Sequence, residues 1–174
     1  MKSELAAAEL IRSIPDFPEK GVLFRDITPI LADADAFEEV INAMVDHALT
    51  IDFDLVVGIE SRGFILGSPI AVQLARGFVP VRKIGKLPHD TVQSEYELEY
   101  GNSIVEMHKD AIIPGQKVLV VDDLLATGGT AQASVDLIKQ LGGRVAGLVF
   151  LIELKALKGR ERLEGLPVKS FVTY

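Results

Sequence analysis

The run "VLVVDDLLATGGTA", Val118 to Ala131, passes from pure hydrocarbon into two adjacent carboxylates and then into a short turn of hydroxyls and glycines. Asp122 and Asp123 can accept hydrogen bonds from vicinal hydroxyls. Gly128 and Gly129 let a backbone turn tightly and come close to a ligand. The N–H groups at a helix start, with the Thr127 and Thr130 hydroxyls, form a nest for a phosphate monoester. No Gly-Lys-Ser or Gly-Lys-Thr follows the turn and no G-x-G-x-x-G occurs, so nucleoside triphosphate and dinucleotide sites are set aside. A phosphorylated ribose fits the order of residue types. Each half alone, a strand end or a helix start, is commonplace; the order of the whole carries the reading.

The elements that must position these groups follow from periodicity. Short runs rich in β-branched residues lie at 53–59, 77–83, 103–109, 117–123, 144–154 and 167–174. Several are apolar on both faces, as strands covered on both sides must be. Helical patterns lie between them at 63–76 and at 129–141, the latter stopped by Gly142 and Gly143. Phe37, Val40, Ile41, Met44, Val45 and Ala48 form one apolar helix face behind Asp33 and Asp35. Ser3 is expected to cap a first short helix ending before Pro15. The expected fold is therefore α/β: a single domain, 1–174, with a mainly parallel central sheet flanked by helices. In such sheets ligands bind at the carboxyl edge of the strands, where Asp122 and Asp123 fall. Residues 85–102 show no strong apolar period and are expected to be a long irregular segment, functional or mobile.

Composition limits the partners. The chain has 174 residues and a formal net charge of −7. A phosphate site must therefore be a local gathering of cations, and nucleic acid is not the expected partner. Cysteine is absent, and His47, His89 and His108 have no ligand spacing, so neither disulfides nor a zinc site is expected. No run of about 18 apolar residues occurs, and a cytoplasmic protein without a membrane partner is expected.

"VVDDLLATGGT" resembles the 5-phosphoribosyl-1-pyrophosphate motif of type I phosphoribosyltransferases. "FPEKGVLFRDITPIL" (17–31), "GIESRGFILG" (58–67), "VRKIGKLP" (81–88), "YELEYG" (96–101) and "LKGRERL" (157–163) resemble the adenine-using members of that family, in the same order. The resemblance implies transfer of a phosphoribosyl group from 5-phosphoribosyl-1-pyrophosphate to adenine, giving AMP and pyrophosphate. It also implies Mg2+ held mainly by the sugar diphosphate and water, with no direct protein ligand. A small N-terminal hood over residues 1–32 for the base, a lid over 85–102 and a homodimer belong to the same expectation.

The family's roles fall on matching positions. Ala126, Thr127, Gly128, Gly129 and Thr130 would hold the 5-phosphate, and Asp122 and Asp123 the ribose hydroxyls. Glu60, Ser61, Arg62, Arg82, Lys83 and Lys86 would serve the pyrophosphate, the last cluster across a dimer interface. The rigid fork of Arg62 suits a pair of phosphate oxygens. A non-proline cis peptide is expected between Glu60 and Ser61. Leu23 and Arg25 would read the purine edge, while Phe24 and Leu154 pack near its ring; by residue type alone, Phe24 between Leu and Arg reads as core. Glu99 would exchange the purine proton and Tyr100 would cover the ribose, whereas Glu95 and Glu97 read as a solvated strand. The catalytic set is thus Glu99, Tyr100 and Arg62.

Two other readings stay open. One is a hypoxanthine, guanine or xanthine enzyme sharing the phosphate motif; those rest their base on a lysine and aromatics after the last long strand, where this chain has "LIELKALKG". The other is a regulator on the same fold that senses a purine or the sugar diphosphate. A regulator of nucleic acid would need a basic face or an added module.

Overall fold

The computed structural model describes residues 2–3, 5–97 and 102–174. One eight-stranded sheet forms the centre, built in chain order from β1 (Lys2–Ser3), β4 (Leu55–Ile59), β5 (Gly77–Lys83), β6 (Thr91–Glu97), β7 (Asn102–His108), β8 (Lys117–Leu125), β9 (Arg144–Glu153) and β10 (Val168–Thr173). Across the sheet the order is β1, β10, β9, β8, β4, β5, β7, β6. The five strands from β10 to β5 run parallel, and β1, β7 and β6 are antiparallel to their neighbours. A separate hairpin pairs β2 (Arg12–Pro15) with β3 (Leu23–Asp26). Helices α1 (Thr28–Ala32), α2 (Ala34–Ala48), α3 (Arg62–Gln73) and α4 (Gly129–Gln140) complete the layers.

Alternation along the central strands decides which side chain enters which core. Val56 of β4, Leu119 and Val121 of β8, and Val149 and Leu151 of β9 join Val40, Met44, Leu66 and Ile70 of α2 and α3. Their neighbours Val57, Val118, Val120, Leu148 and Phe150 point the other way and meet Val135, Leu137 and Ile138 of α4. A strand sandwiched this way must be apolar wherever both faces are covered, which is why β4 and the Val118–Val121 stretch of β8 carry no polar side chain. Each such side chain contributes about 1.5–3 kcal/mol when fully buried. Helix α2 starts where Asp33 accepts a 2.9 Å hydrogen bond from the Ala36 N–H, and its predicted apolar face is the buried one.

Two expectations give way to pairing. Ser3 caps no helix: it pairs with Val172 at the sheet edge, and the helical turn after it is a single 3₁₀ segment, Ala6–Leu10. Opposite β3, the chain from Arg12 to Pro15 is held extended by ladder bonds that a longer helix would forgo. The segment 85–102 is not irregular throughout, because β6 lies within it and pairs with β7 from Thr91 to Glu97. Its backbone ladder needs no apolar period, and Val92 and Tyr96 on one face suffice to pack it against the α4 side. Among the described residues, no helix is long and apolar enough to cross a membrane.

Candidate active site

Strand β8 carries Asp122 and Asp123 to the carboxyl edge of the sheet, and the chain turns through Ala126, Thr127 and Gly128 into α4. Gly128 precedes the helix with φ 81°, a left-handed conformation open to glycine. Gly128 and Gly129 are buried, Thr130 is half-buried and Thr127 is exposed. The turn lines a small hollow of about 70 Å³ with Asp122 at its rim. The N–H groups of the first turn of α4 have no intrahelical partner there, which suits an anion.

The two aspartates differ. Asp123 is only 4% exposed, and its carboxylate accepts a hydrogen bond from Nε of Arg62, the first residue of α3. Asp122 faces the cleft, and its Oδ1 accepts from the Asp123 N–H at 2.9 Å. Burial, and then the charge of Asp123, push the Asp122 carboxyl well above the usual carboxylate range. Helix α3 can approach this strand end because residue 63 is glycine: a Cβ there would lie 2.7 Å from the Val121 carbonyl and 2.9 Å from Asp122 Oδ1.

Glu60 gathers the cations. Its carboxylate accepts from the Lys83 N–H at 2.9 Å, from Arg82 Nε at 3.3 Å and from Lys86 Nζ. Burial alone would raise this carboxyl, but those hydrogen bonds outweigh it and hold the group below its ordinary value. The peptide between Glu60 and Ser61 is cis, as expected. Glu60, Ser61, Arg62, Lys83 and Asp123 line one hollow of about 280 Å³. A neighbouring cleft joins Glu60, Arg62 and Lys83 to Asp122, Asp123 and Thr130. The structure thus brings the turn before α4, the paired carboxylates and the Glu60 cluster to one place.

The hood residues separate by strand alternation. Phe24 is not core: it is half-buried outside both clusters, edge-on to Phe17 at 5.1 Å, with the Arg62 guanidinium 5.3 Å from its ring centre. β3 belongs to a separate two-stranded sheet, which leaves Phe24 outside both core clusters where residue type alone had placed it in the core. Arg25 points to the other side of the strand, stacks 3.6 Å from the Tyr174 ring centre and donates to the Ser13 hydroxyl. Its Nε is buried without a hydrogen-bond partner. Leu23 is exposed, and Leu154 follows β9 with its N–H on the Leu125 carbonyl at 2.9 Å. Glu99 and Tyr100 lie outside the described residues.

Sequence reading missed Glu106. It is 3% exposed on β7 and accepts from the N–H groups of Lys86 and Leu87, each at 3.0 Å, so it shapes the turn bearing Lys86. The only sequence signal is a charge set between Val105 and Met107 within a strand. Among the described residues no group of three or more His, Asp or Glu side chains is arranged to hold a metal ion.

The phosphoribosyl transferase domain model matches residues 26–172. The chain belongs to the phosphoribosyltransferase family. Among curated relatives, the phosphoribosyltransferase is 58% identical to the adenine phosphoribosyltransferase of Thermotoga neapolitana, over 95% of this chain and 98% of that one. Among solved structures it is similar to the adenine phosphoribosyltransferase of Thermoanaerobacter pseudethanolicus, with 51% identity, TM-score 0.94, and 95% and 96% of the two chains covered. The enzyme of Saccharomyces cerevisiae, solved with an imino-altritol bisphosphate and adenine, is 41% identical, with TM-score 0.90 and 95% and 97% covered. Asp122, Asp123 and Glu60 of this phosphoribosyltransferase line one cleft at the carboxyl edge of the sheet.

Proposed function

We propose that this protein transfers the 5-phosphoribosyl group from 5-phosphoribosyl-1-pyrophosphate to adenine, releasing pyrophosphate and AMP. The observation that carries the reading is one cleft in which Ala126 and Thr130 at the start of α4, two carboxylates, and Arg62 with Lys83 lie side by side. The adenine phosphoribosyltransferases similar to it over nearly its whole length support the choice of base.

In this reading Ala126 to Thr130 hold the 5-phosphate through backbone N–H groups and hydroxyls. Asp122 and Asp123 take the ribose hydroxyls. Ser61, Arg62, Arg82, Lys83 and Lys86 hold the pyrophosphate, with Glu60 setting the positions of the Arg82 and Lys86 cations and of the Lys83 backbone. Departure of pyrophosphate builds positive charge on the sugar ring and negative charge on the leaving group, and the cations stabilise the latter. Mg2+ bound with the sugar diphosphate would supply further charge stabilisation at the leaving group. The carboxylate oxygens at the cleft suit such a hard ion through water, consistent with a metal carried by its substrate.

The base lies by Leu23, Phe24, Arg25 and Leu154, within a hood formed by residues 1–32. Phe24 offers an aromatic face on the side where Arg62 sits. Glu99 exchanges the purine proton, Tyr100 covers the ribose, and residues 85–102 close over the cleft as a lid to exclude water. The protein acts in the cytoplasm as a homodimer, which would cover exposed apolar side chains such as Ile65 and Val72 on α3 and Ile84 beyond β5. Incubation with 5-phosphoribosyl-1-pyrophosphate, Mg2+ and each purine separately tests the proposal. AMP from adenine alone supports it, and nucleotide formed only from hypoxanthine or guanine refutes it.

A further inference from the structure

The "LKGRERL" segment, Leu157 to Leu163, has none of the roles described above, yet it presses on the turn that holds the phosphate. Gly159 is buried there. A Cβ on it would lie 2.4 Å from the Ala126 carbonyl oxygen and 3.1 Å from the Gly128 nitrogen. The approach is mutual, since a Cβ on Gly128 would lie 2.5 Å from the Gly159 carbonyl oxygen. Two glycines 31 positions apart let two backbones meet where any other pair would force them apart.

The segment is fixed on the side away from the turn. Arg160 donates from Nε and Nη2 to the two carboxylate oxygens of Glu153, both at 2.8 Å. It also donates from Nη1 to the Val168 carbonyl at 2.8 Å and from Nη2 to the Ser170 hydroxyl at 2.9 Å. Glu153 is 5% exposed and is the last residue of β9, in register with Leu125 at the end of β8. Leu163 is 2% exposed in the core that also holds Leu125 and Ala131. A rigid guanidinium fork on a buried carboxylate allows little play. Leu125 is thus paired with the end of β9, and Ala126, the next residue, meets Gly159.

We propose that Gly159 is a positioning residue for the phosphate turn, held in place by the Arg160–Glu153 pair. The segment thereby sets affinity for the phosphorylated sugar and not for the pyrophosphate. The inference rests on the assignment of Ala126 to Thr130 to the 5-phosphate.

The test compares Gly159→Ala with Arg162→Ala, an exposed change on the same segment, and with Thr130→Ala in the turn itself. Binding of AMP, ribose 5-phosphate and Mg-pyrophosphate is measured alongside steady-state kinetics. Gly159→Ala is expected to weaken AMP and ribose 5-phosphate by about tenfold or more and to raise the KM for the sugar diphosphate similarly. Pyrophosphate affinity should stay within about twofold and kcat within about threefold, a split that general loss of stability would not produce. Arg162→Ala should match the parent protein. If Gly159→Ala does not fold, Arg160→Lys keeps the charge, loses the fork and should show the same split by about threefold. Normal AMP affinity in a folded Gly159→Ala, with Thr130→Ala impaired, overturns the proposal. Normal affinity in both overturns the phosphate assignment beneath it as well.

Discussion

Arg62 donates the hydrogen on its Nε to the carboxylate of Asp123, joining the first turn of α3 to the end of β8 across 61 positions of sequence. The cation proposed for pyrophosphate is therefore held by a carboxylate proposed for ribose. Arg62 is 36% exposed and Asp123 6% in their side chains, so the cation faces the cleft while the carboxylate backs it from within.

This pairing makes the two aspartates unequal in stability. From sequence alone their partners lie in the ligand, and replacing both with Asn should leave melting unchanged. The structure revises that. Asp123→Asn leaves Arg62 without its charged partner and should cost about 1 kcal/mol or more. Asp122→Asn keeps an oxygen for the Asp123 N–H and removes a repelled, desolvated charge, so its effect should be neutral or stabilising by up to about 1 kcal/mol. Both should weaken the sugar diphosphate by about 1–3 kcal/mol in total. Thermal melts with binding isotherms check the signs; equal destabilisation by the two changes would contradict the geometry.

Glu60 should make the fold acid-sensitive. Its carboxyl titrates below its ordinary value of 4.5 in the folded protein. The ionised form is thus favoured by folding, and its contribution is present above about pH 4.5 and lost as pH falls through the lowered value. Glu60→Gln should lower stability near neutral pH by about 1 kcal/mol and flatten the decline on acidification. Melting curves from pH 7 down to about 3 measure the slope. An unchanged slope means that other carboxylates carry it.

Base choice should be sharp. Adenine is expected to be used at least about a hundredfold better than hypoxanthine or guanine, roughly 3 kcal/mol, which one reversed hydrogen bond in a buried site can supply. Ratios of kcat/KM with each base give the number. Comparable turnover of hypoxanthine would remove the adenine assignment.

Glu99 stands in sequence between the ends of β6 and β7. If it handles the purine proton, Glu99→Gln should bind both substrates and turn over about 10²- to 10⁴-fold more slowly. Single-turnover rates at saturating substrate isolate that step. Full activity in the variant would remove Glu99 from the proton transfer.

The sequence by itself determined the layered α/β plan and the chemistry of its edge. Leu55 to Ile59 and Val118 to Val121 are apolar at every position, and only a strand covered on both faces requires that. Asp122 to Thr130 form one continuous run, so their proximity is local and legible from types and order. The same holds for Asp33 before the apolar face of α2. Tertiary structure decided the rest, because the deciding contacts join distant positions and leave no local pattern. Ser3 became a strand through Val172, and β6 formed through the β7 backbone ladder, where hydrogen bonds replace an apolar period. Arg25 was drawn to Tyr174 and Phe24 toward Arg62, since alternation along β3 sends neighbours to opposite sides. Glu106 beneath the Lys86 turn and Gly159 against Gly128 belong to the same class. A carboxylate in a strand or a glycine in a loop becomes specific only when folding brings up the backbone it must meet.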